Sequence, residues 1–155
     1  MFDIPSFSNE SDEHLGCEYT RMRLQRKRPL IAIVDDDTFV CRAVQRMLAS
    51  RDIDSELFTS GRGFLAALET VPSFQPECVI LDMHMPDMHG LDVLKQLART
   101  RPDLPVVALT AQRDAHTHQQ ALAWGAVAFF EKPLDEDIDV FVETLLAGGG
   151  RNMKS

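Results

Sequence analysis

Residues 78–82 read CVILD, and MHMPDMHG follows directly as residues 83–90. A short run this rich in apolar side chains is typical of a strand buried on both faces of a parallel sheet. Pro86 and Gly90 favour a turn immediately afterwards, so Asp82 is predicted to lie at the carboxyl end of the strand. Open α/β folds carry their chemistry at that edge, which makes Asp82 a candidate ligand or nucleophile.

Strand and helix patterns alternate along most of the chain. The predicted strands are residues 30–34, 55–58, 78–82, 106–110 and 126–130. Apolar residues at helical spacing follow each strand. The helices are expected over residues 38–50, from Ser60 through Leu68, over 90–99 and 113–124, and after Asp135. This alternation predicts an α/β fold with a parallel sheet covered by helices on both faces.

One domain accounts for most of the chain. At 155 residues the protein is long enough for a single complete core and too short for two ordinary domains. Residues 29–147 carry the strand and helix patterns and are predicted to form that domain. Residues 1–28 are expected to be a flexible N-terminal extension, and residues 148–155 a flexible C-terminal tail.

The distribution of charge indicates which kinds of ligand and partner the domain favours. The formal net charge is -8, and residues 1–28 hold five acids and five bases, so the whole net charge lies in residues 29–155. An acidic domain favours a cation ligand or basic partners, and it argues against a general nucleic-acid or anionic-membrane surface. The basic cluster at residues 21–28 is interpreted as a solvated charge run.

Cysteine usage and hydropathy favour a cytoplasmic protein. Cys17, Cys41 and Cys78 lack the paired spacing of a zinc site or a disulfide framework, so they are interpreted as thiols in a reducing compartment. The sequence contains neither an apolar run long enough to span a membrane nor the pattern of a secretory signal. We therefore expect a soluble protein in the cytoplasm.

The strand ends carry side chains that suit phosphoryl chemistry. Because parallel strands end at one edge, Asp35, Asp36, Asp82, Thr110 and Lys132 are expected to converge there. Clustered carboxylates repel one another unless a cation joins them, and oxygen ligands suit Mg²⁺. The lysine and the hydroxyl would then bind a phosphoryl group, with Asp82 as its acceptor.

Helical spacing also predicts which side chains face the core. The stripe of the first helix is expected to consist of Phe39, Val40, Ala43, Val44, Met47 and Leu48. Trp124 and the Phe129–Phe130 pair are expected in the core as well. Cys41 and Cys78 are interpreted as packing residues rather than redox sensors.

Four short motifs, in this order, resemble the signatures of response-regulator receiver domains of two-component signalling. The motifs are VDDD (34–37), LDMHMP (81–86) with Gly90, LTA (109–111) and EKPL (131–134). The resemblance covers about residues 29–147, and the chain is most similar to the receiver halves of nitrogen-fixation-type regulators. It implies the flavodoxin-like receiver fold, in which helices cover both faces of a five-stranded parallel sheet.

The resemblance implies a role for each site residue. Asp82 would accept a phosphoryl group from a phosphohistidine. Asp36, Asp82 and the backbone carbonyl of His84 would ligate Mg²⁺ directly, whereas Asp35 would mainly hold a metal-bound water. Lys132 would pair with the phosphoryl oxygens. Self-phosphorylation and slow autodephosphorylation would be the only catalysed steps, so the chain is not expected to be an enzyme with turnover.

The resemblance also implies a conformational switch. Thr110 would hydrogen-bond the phosphoryl group, and Phe129, at the aromatic switch position, would turn inward when Thr110 moves. Tyrosine is common at that position, so any hydroxyl contact to a partner is lost here. His84 and Gln112 occupy positions that tune the lifetime of the acyl phosphate. The Lys132–Pro133 bond is implied to be cis.

The implied partners are a sensor histidine kinase, a histidine phosphotransfer protein, or both, and a downstream protein target. The target would bind the surface of the fourth helix, fifth strand and fifth helix, and a phosphorylation-dependent homodimer is a further option. The few residues after Gly150 lead us to expect a single-domain regulator without direct nucleic-acid or membrane contact. The alternatives are a phosphorelay shuttle and a receiver fragment of a larger DNA-binding regulator.

Other interpretations of the same motifs stay open at this point. Acids at strand–helix junctions often cap helices, which is the preferred role of Asp37 and Asp135. The GRG at residues 61–63 fits a loose dinucleotide fingerprint, although it follows the second strand rather than the first. The acids at 35–37 are also similar to those of haloacid-dehalogenase phosphatases, but Phe39 stands where those enzymes carry Thr or Val.

Histidines raise the separate question of a transition-metal site. The candidates are His84, His89, His116 and His118. His116 and His118 are two residues apart, which is the wrong spacing for one face of a helix. Exposed surface is the preferred interpretation.

Overall fold

Five short apolar segments pair into one parallel sheet. The computed structural model describes residues 28–111, 115–132 and 137–148. The strands are β1 (Leu30–Val34), β2 (Asp54–Phe58), β3 (Cys78–Asp82), β4 (Val106–Thr110) and β5 (Ala128–Glu131). Their order across the sheet is β2-β1-β3-β4-β5, and every neighbouring pair is parallel. The central position of β3 follows from its burial on both faces.

Within the described residues, five helices alternate with the strands. They are α1 (Thr38–Ala49), α2 (Gly61–Thr70), α3 (Gly90–Thr100), α4 (Ala115–Ala123) and α5 (Asp137–Ala147). Side chains cap two of them as predicted, since Asp37 accepts from the backbone of Phe39 and Ser60 accepts from that of Gly63. The predicted α/β class and parallel sheet are confirmed.

Alternating strand residues build two separate cores on the two faces of the sheet. The first core contains α2, α3 and α4, represented by Phe64, Leu94 and Ala121. The second contains α1 and α5, represented by Leu48 and Val142. Burying one large apolar side chain contributes about 1.5–3 kcal/mol, so both faces add to the stability of the fold. The helices therefore lie on both faces, as the strand pattern predicted.

The register of the sheet brings the ends of the strands together. Val34 pairs with Leu81, so Asp35 and Asp82 follow on adjacent strands. Asp82 in turn lies opposite Leu109, one residue before Thr110. Thr110 pairs with Glu131, which places Lys132 just beyond the end of β5. The predicted site residues thus share one edge.

The expected position of Phe39 in the core is wrong. Its side chain is 86% exposed, whereas Cys41, Val44 and Leu48 form the buried stripe of α1. Phe39 precedes Cys41 by two residues, which is about 200° around a helix, so its side chain points away from the sheet. The predicted stripe included Phe39 and left out Cys41, so it was placed too far to one side of the helix.

The expected burial of Trp124 is also wrong. It follows the last residue of α4 and is 41% exposed, with the ammonium of Lys95 lying 5.4 Å from the centre of its ring. The ring therefore lies at the rim between α3 and α4. Phe129 and Phe130 are half-buried and pack against the two different cores, one on each face of the sheet.

The predicted start of the last strand was two residues too early. Gly125 has a φ of +102°, and the backbone N–H of Ala126 donates to the carbonyl of Ala121. This bond closes the end of α4 in a Schellman arrangement, so Ala126 completes the helix rather than pairing in the sheet. β5 consequently begins at Ala128.

Several predictions fall outside the described residues. These concern residues 1–27, Gln112, Pro133, Asp135 and residues 149–155. Arg28, which was predicted to belong to the flexible extension, is a described residue. Its guanidinium is 3.4 Å from Asp52 and 3.5 Å from Asp54. None of the described helices combines the length and apolarity that crossing a bilayer requires.

Candidate functional site

A tight loop holds Asp82 at the edge of the sheet. The residue ends β3 between β1 and β4 and is only 2% exposed. After it the chain folds back, and the N–H of Gly90 donates to the carbonyl of Met83 at 3.3 Å. A Cβ on Gly90 would lie 2.4 Å from the carbonyl oxygen of Asp82 and 2.6 Å from Cα of Met83. Only glycine permits this close approach.

The β1–α1 loop supplies two further acids with different exposure. The backbone N–H of Asp35 donates to the carbonyl of Phe58, and its side chain is fully buried. One of its carboxylate oxygens, Oδ1, accepts from the backbone N–H of Asp37 at 2.9 Å. Asp36 follows in the same loop and is exposed. Asp37 caps α1, which confirms its expected capping role.

Lys132 reaches both buried carboxylates. Its Nζ lies 2.7 Å from Oδ2 of Asp35 and 3.5 Å from Oδ1 of Asp82. The backbone N–H of Lys132 donates to the carbonyl of Thr110 at 2.8 Å, which fixes the start of its side chain beside β4. The sequence predicted that Lys132 would converge on this edge but did not predict Asp35 as its nearer partner. β3 and β4 lie between β1 and β5, so local patterns do not show which acid the side chain reaches.

The carboxylates are close enough to share a cation. One oxygen from each of Asp35, Asp36 and Asp82 lies within 4.8 Å of the other two. Ligand oxygens around one octahedral Mg²⁺ are separated by about 3–4 Å, given Mg–O distances of about 2.1 Å. The oxygens of the three aspartates therefore lie near the separations that ligands of one Mg²⁺ require. Among the described residues, no other group of acids, cysteines or histidines meets the same criterion.

Lys132 only partly offsets the effects of burial and of the neighbouring acid on the pKa of Asp82. That pKa is raised from 3.8 to about 6, first because burial disfavours the charged form and second because Asp35 is close. Lys132 opposes this rise. Burial by itself lowers the pKa of Lys132, but its hydrogen bond to Asp35 and the two carboxylate charges raise it above the ordinary value. An additional cation would relieve the repulsion between the acids.

Thr110 and Phe129 lie on adjacent strands near the acids. Thr110 is the last residue of β4 and is fully buried. Phe129 pairs with Ala108, two residues before Thr110, and packs partly against the core that contains Ala108. Side chains two residues apart on a strand share a face, so Thr110 and Phe129 lie on the same side of the sheet.

Two contacts at this edge were not foreseen in the sequence. The ring of His118 on α4 stacks on Phe129, while His118 is exposed as predicted. The thiol of Cys41 donates to the carbonyl of Asp35 at 3.2 Å. Burial, followed by the nearby acids, raises the pKa of Cys41 to about 11, which suits the packing role that was predicted. Both contacts depend on how a helix packs beside the neighbouring strand, which apolar periodicity alone does not reveal.

The two glycines of the dinucleotide-like motif make contacts within the protein. A Cβ on Gly61 would lie 2.7 Å from Cγ2 of Val93, and the N–H of Gly63 bonds to the hydroxyl of Ser60. Gly61 thus allows α2 to approach α3. The close approach explains Gly61 without a nucleotide, whereas Gly63 contributes a backbone N–H that any residue except proline would offer.

Comparisons with known proteins agree on one family. A family model described as the response regulator receiver domain matches residues 31–140. The DNA-binding transcriptional regulator NtrC of Salmonella typhimurium strain LT2 is 35% identical over 111 residues. The response regulator protein TmoT of Ectopseudomonas mendocina is 32% identical over 117 residues. A crystal structure of a response regulator receiver protein from Burkholderia phymatum is 42% identical, with a TM-score of 0.67.

The extent of these matches differs between the relatives. The aligned region covers 72% of this chain but 23% of NtrC, and 76% of this chain but 52% of TmoT. The match to the Burkholderia phymatum protein covers 79% of this chain and 96% of that one. The similarity therefore concerns one domain, which in NtrC and TmoT is part of a longer protein.

Proposed function

The chain belongs to the response regulator receiver domain family, and on that premise we propose that it is a phosphorylation-dependent switch with Asp82 as the phosphoryl acceptor. The observation that carries this proposal is the position of Lys132, whose ammonium lies between Asp35 and Asp82. Acids that only capped helices would not require a lysine from the end of β5 at the same point.

The proposed transfer uses a carboxylate oxygen of Asp82 as the nucleophile. This oxygen attacks the phosphorus of a phosphohistidine, the P–N bond breaks, and the imidazole leaves with the bonding electron pair. Lys132 is close enough to pair with a phosphoryl oxygen on Asp82, since its Nζ is 3.5 Å from Oδ1. The acceptor lies at the carboxyl end of β3, and a donor protein would have to reach a side chain that is only 2% exposed.

Receiver domains bind Mg²⁺ at an acidic pocket, and the three aspartates supply such a pocket here. We assign Asp36, Asp82 and the backbone carbonyl of His84 as ligands. Asp35 would instead hold a metal-bound water, because Lys132 and the N–H of Asp37 already engage its two oxygens. Bound Mg²⁺ would neutralise the carboxylates and screen the charge of the incoming phosphoryl group.

We propose that Thr110 and Phe129 transmit the modification. The hydroxyl of Thr110 would hydrogen-bond the phosphoryl group, and Phe129 would turn toward the space that Thr110 leaves. Their shared face of the sheet and the small side chain of Ala108 opposite Phe129 support this coupling. Occupation of Asp82 would then shift the population between two conformations.

Receiver domains work with histidine kinases or histidine phosphotransfer proteins, and we propose one of these as the phosphoryl donor. As the output we favour phosphorylation-dependent binding to a protein target. The second candidate is a receiver unit of a DNA-binding regulator, because NtrC is such a regulator and the chain covers 23% of it. The third is a phosphorelay shuttle, which would return its phosphoryl group rapidly to a phosphotransfer protein.

Labelling with radioactive acetyl phosphate tests the acceptor. The wild-type protein with Mg²⁺ should incorporate acid-stable, hydroxylamine-sensitive label, and chelation of Mg²⁺ should abolish it. Asp82→Asn should incorporate none. Asp37→Asn is the matched control, because asparagine retains the helix cap, and it should be labelled like the wild type. Equal labelling of Asp82→Asn and wild type would rule out Asp82 as the acceptor.

A further inference from the structure

The ring of Phe129 is covered by a histidine from the neighbouring helix. The ring centroids of His118 and Phe129 are 4.2 Å apart, and the ring planes differ by 30°. Two aromatic pairs elsewhere in the sheet, Phe58–Phe64 and Phe130–Phe141, are 5.4 and 5.7 Å apart and meet edge to face. The His118–Phe129 pair is therefore the more closely stacked contact, and stacking of this kind stabilises one ring orientation.

The histidine belongs to α4, a helix that buries little of its surface. Ala121 is the one described residue of α4 that is fully buried, and His118 is exposed. Phe129 is half-buried, so its ring lies at the boundary between the core and the surface. The imidazole consequently covers the solvent side of a ring that the core holds only in part.

We propose that His118 is a positioning residue that holds Phe129 against α4 and so opposes activation of the switch. This inference rests on the proposed function, because it requires Phe129 to turn toward Thr110 when Asp82 is occupied. A ring that turns inward loses its contact with the imidazole. The stacking then stabilises only the resting conformation, and any interaction made in one of two states shifts the equilibrium between them.

Beryllofluoride, which mimics a phosphoryl group on a carboxylate, provides the test with the full chain and Mg²⁺. His118→Ala should raise its apparent affinity about two- to tenfold, which is the range that one stacked aromatic contact supplies. His118→Phe retains a ring and should stay within about twofold of the wild type. Gln119→Ala also introduces alanine at an exposed position of α4, beside His118, and should leave the affinity unchanged.

A second set of variants, made in Phe129→Ala, distinguishes an effect of His118 through Phe129 from a general effect on the stability of the protein. In Phe129→Ala the partner ring is missing, so adding His118→Ala should no longer change the affinity for beryllofluoride. Fluorine NMR of labelled Phe129 should show that His118→Ala alters its signal in the resting protein but not in the beryllofluoride complex.

The outcomes distinguish this inference from the function on which it rests. If folded His118→Ala bound beryllofluoride with wild-type affinity, or if its effect persisted in Phe129→Ala, the inference would be overturned and the switch would stand. If wild-type protein bound no beryllofluoride, or bound it equally in Asp82→Asn, both the inference and the proposed function would fall.

Discussion

Lys132 pairs most closely with Asp35, whose carboxylate is fully buried and lies 2.7 Å from the lysine Nζ. The second carboxylate, that of Asp82, is 3.5 Å away. The lysine therefore neutralises an acid that is not the proposed acceptor, in addition to facing the one that is. In the unmodified protein the first role of Lys132 is to offset the energetic cost of burying the charged carboxylate of Asp35.

Replacing Lys132 by glutamine should destabilise the metal-free protein at neutral pH by about 1–3 kcal/mol, because two buried acids lose their cation. The effect should be below that of a fully buried pair, since the lysine side chain is 14% exposed. Urea unfolding measures the change. In an Asp35→Asn background the same replacement should cost clearly less, and equal costs in both backgrounds would contradict the pairing.

The raised pKa of Asp82 makes a prediction about pH. Because the folded pKa of about 6 lies above the ordinary value of 3.8, the folded state binds this proton more tightly. The stabilisation from this proton is complete below about pH 4 and is lost as the pH rises through about 6. Asp82→Asn should therefore stabilise the metal-free protein by about 1–3 kcal/mol at pH 7.5 and by much less at pH 4.5. Equilibrium unfolding at both pH values measures this, and a uniform effect would be inconsistent with it.

Binding of Mg²⁺ should stabilise the folded protein, because the assembled carboxylates exist only in that state. At ten times the dissociation constant the gain is about 1.4 kcal/mol. A thermal unfolding series in MgCl₂ measures it. Asp36→Asn should reduce the response, whereas Asp52→Asn should retain it, since asparagine tolerates the positive φ of 61° at that exposed position. A response identical in all three proteins would exclude the proposed site.

Gly90→Ala tests the close approach of the β3–α3 loop to the acceptor. The added methyl would meet backbone atoms of Asp82 and Met83 at 2.4–2.6 Å, and backbone cannot yield as a flexible side chain does. We expect a loss of about 1–3 kcal/mol in unfolding experiments together with slower labelling of Asp82. Gly63→Ala is the control, because its methyl would meet only the Ser60 hydroxyl, at 3.0 Å. Comparable losses in both variants would argue against this explanation.

The corrected position of Phe39 leads to a simple comparison. Because its side chain is 86% exposed, Phe39→Ala should change the free energy of unfolding by less than about 0.5 kcal/mol. Phe64→Ala removes a fully buried ring and should cost about 3–5 kcal/mol. Urea titrations of both variants measure these free energies. A large loss of stability in Phe39→Ala would show that the Phe39 side chain is buried.

The sequence predicted the architecture well because the strong signals were local. Each buried strand is a continuous apolar run, and Asp35, Asp82 and Thr110 directly follow such runs, with Asp36 and Lys132 one residue further along. Parallel pairing then required these side chains to meet, and the distances from Lys132 to Asp35 and Asp82 agree.

The errors arose where geometry between elements decides. Apolar residues extend around much of α1, so helical spacing alone did not show that the buried face centres on Cys41, Val44 and Leu48, with Phe39 on the opposite side. The two-residue error at β5 came from a Schellman closure whose bond joins Ala126 to Ala121. The stacking of His118 on Phe129 depends on how α4 packs on β5, which no local pattern encodes.

Helix α4 gives the sheet one fully buried methyl, that of Ala121, whereas α3 gives Val93, Leu94 and Leu97 in addition to Gly90. Little apolar surface must be hydrated when such a helix opens, so its amide protons should exchange with solvent deuterium sooner than those of α3. Opening there leaves the opposite layer, in which α1 starts just after Asp36, undisturbed. The helix that opens most readily, α4, thus lies on the other face of the sheet from α1, the helix that follows the acidic loop.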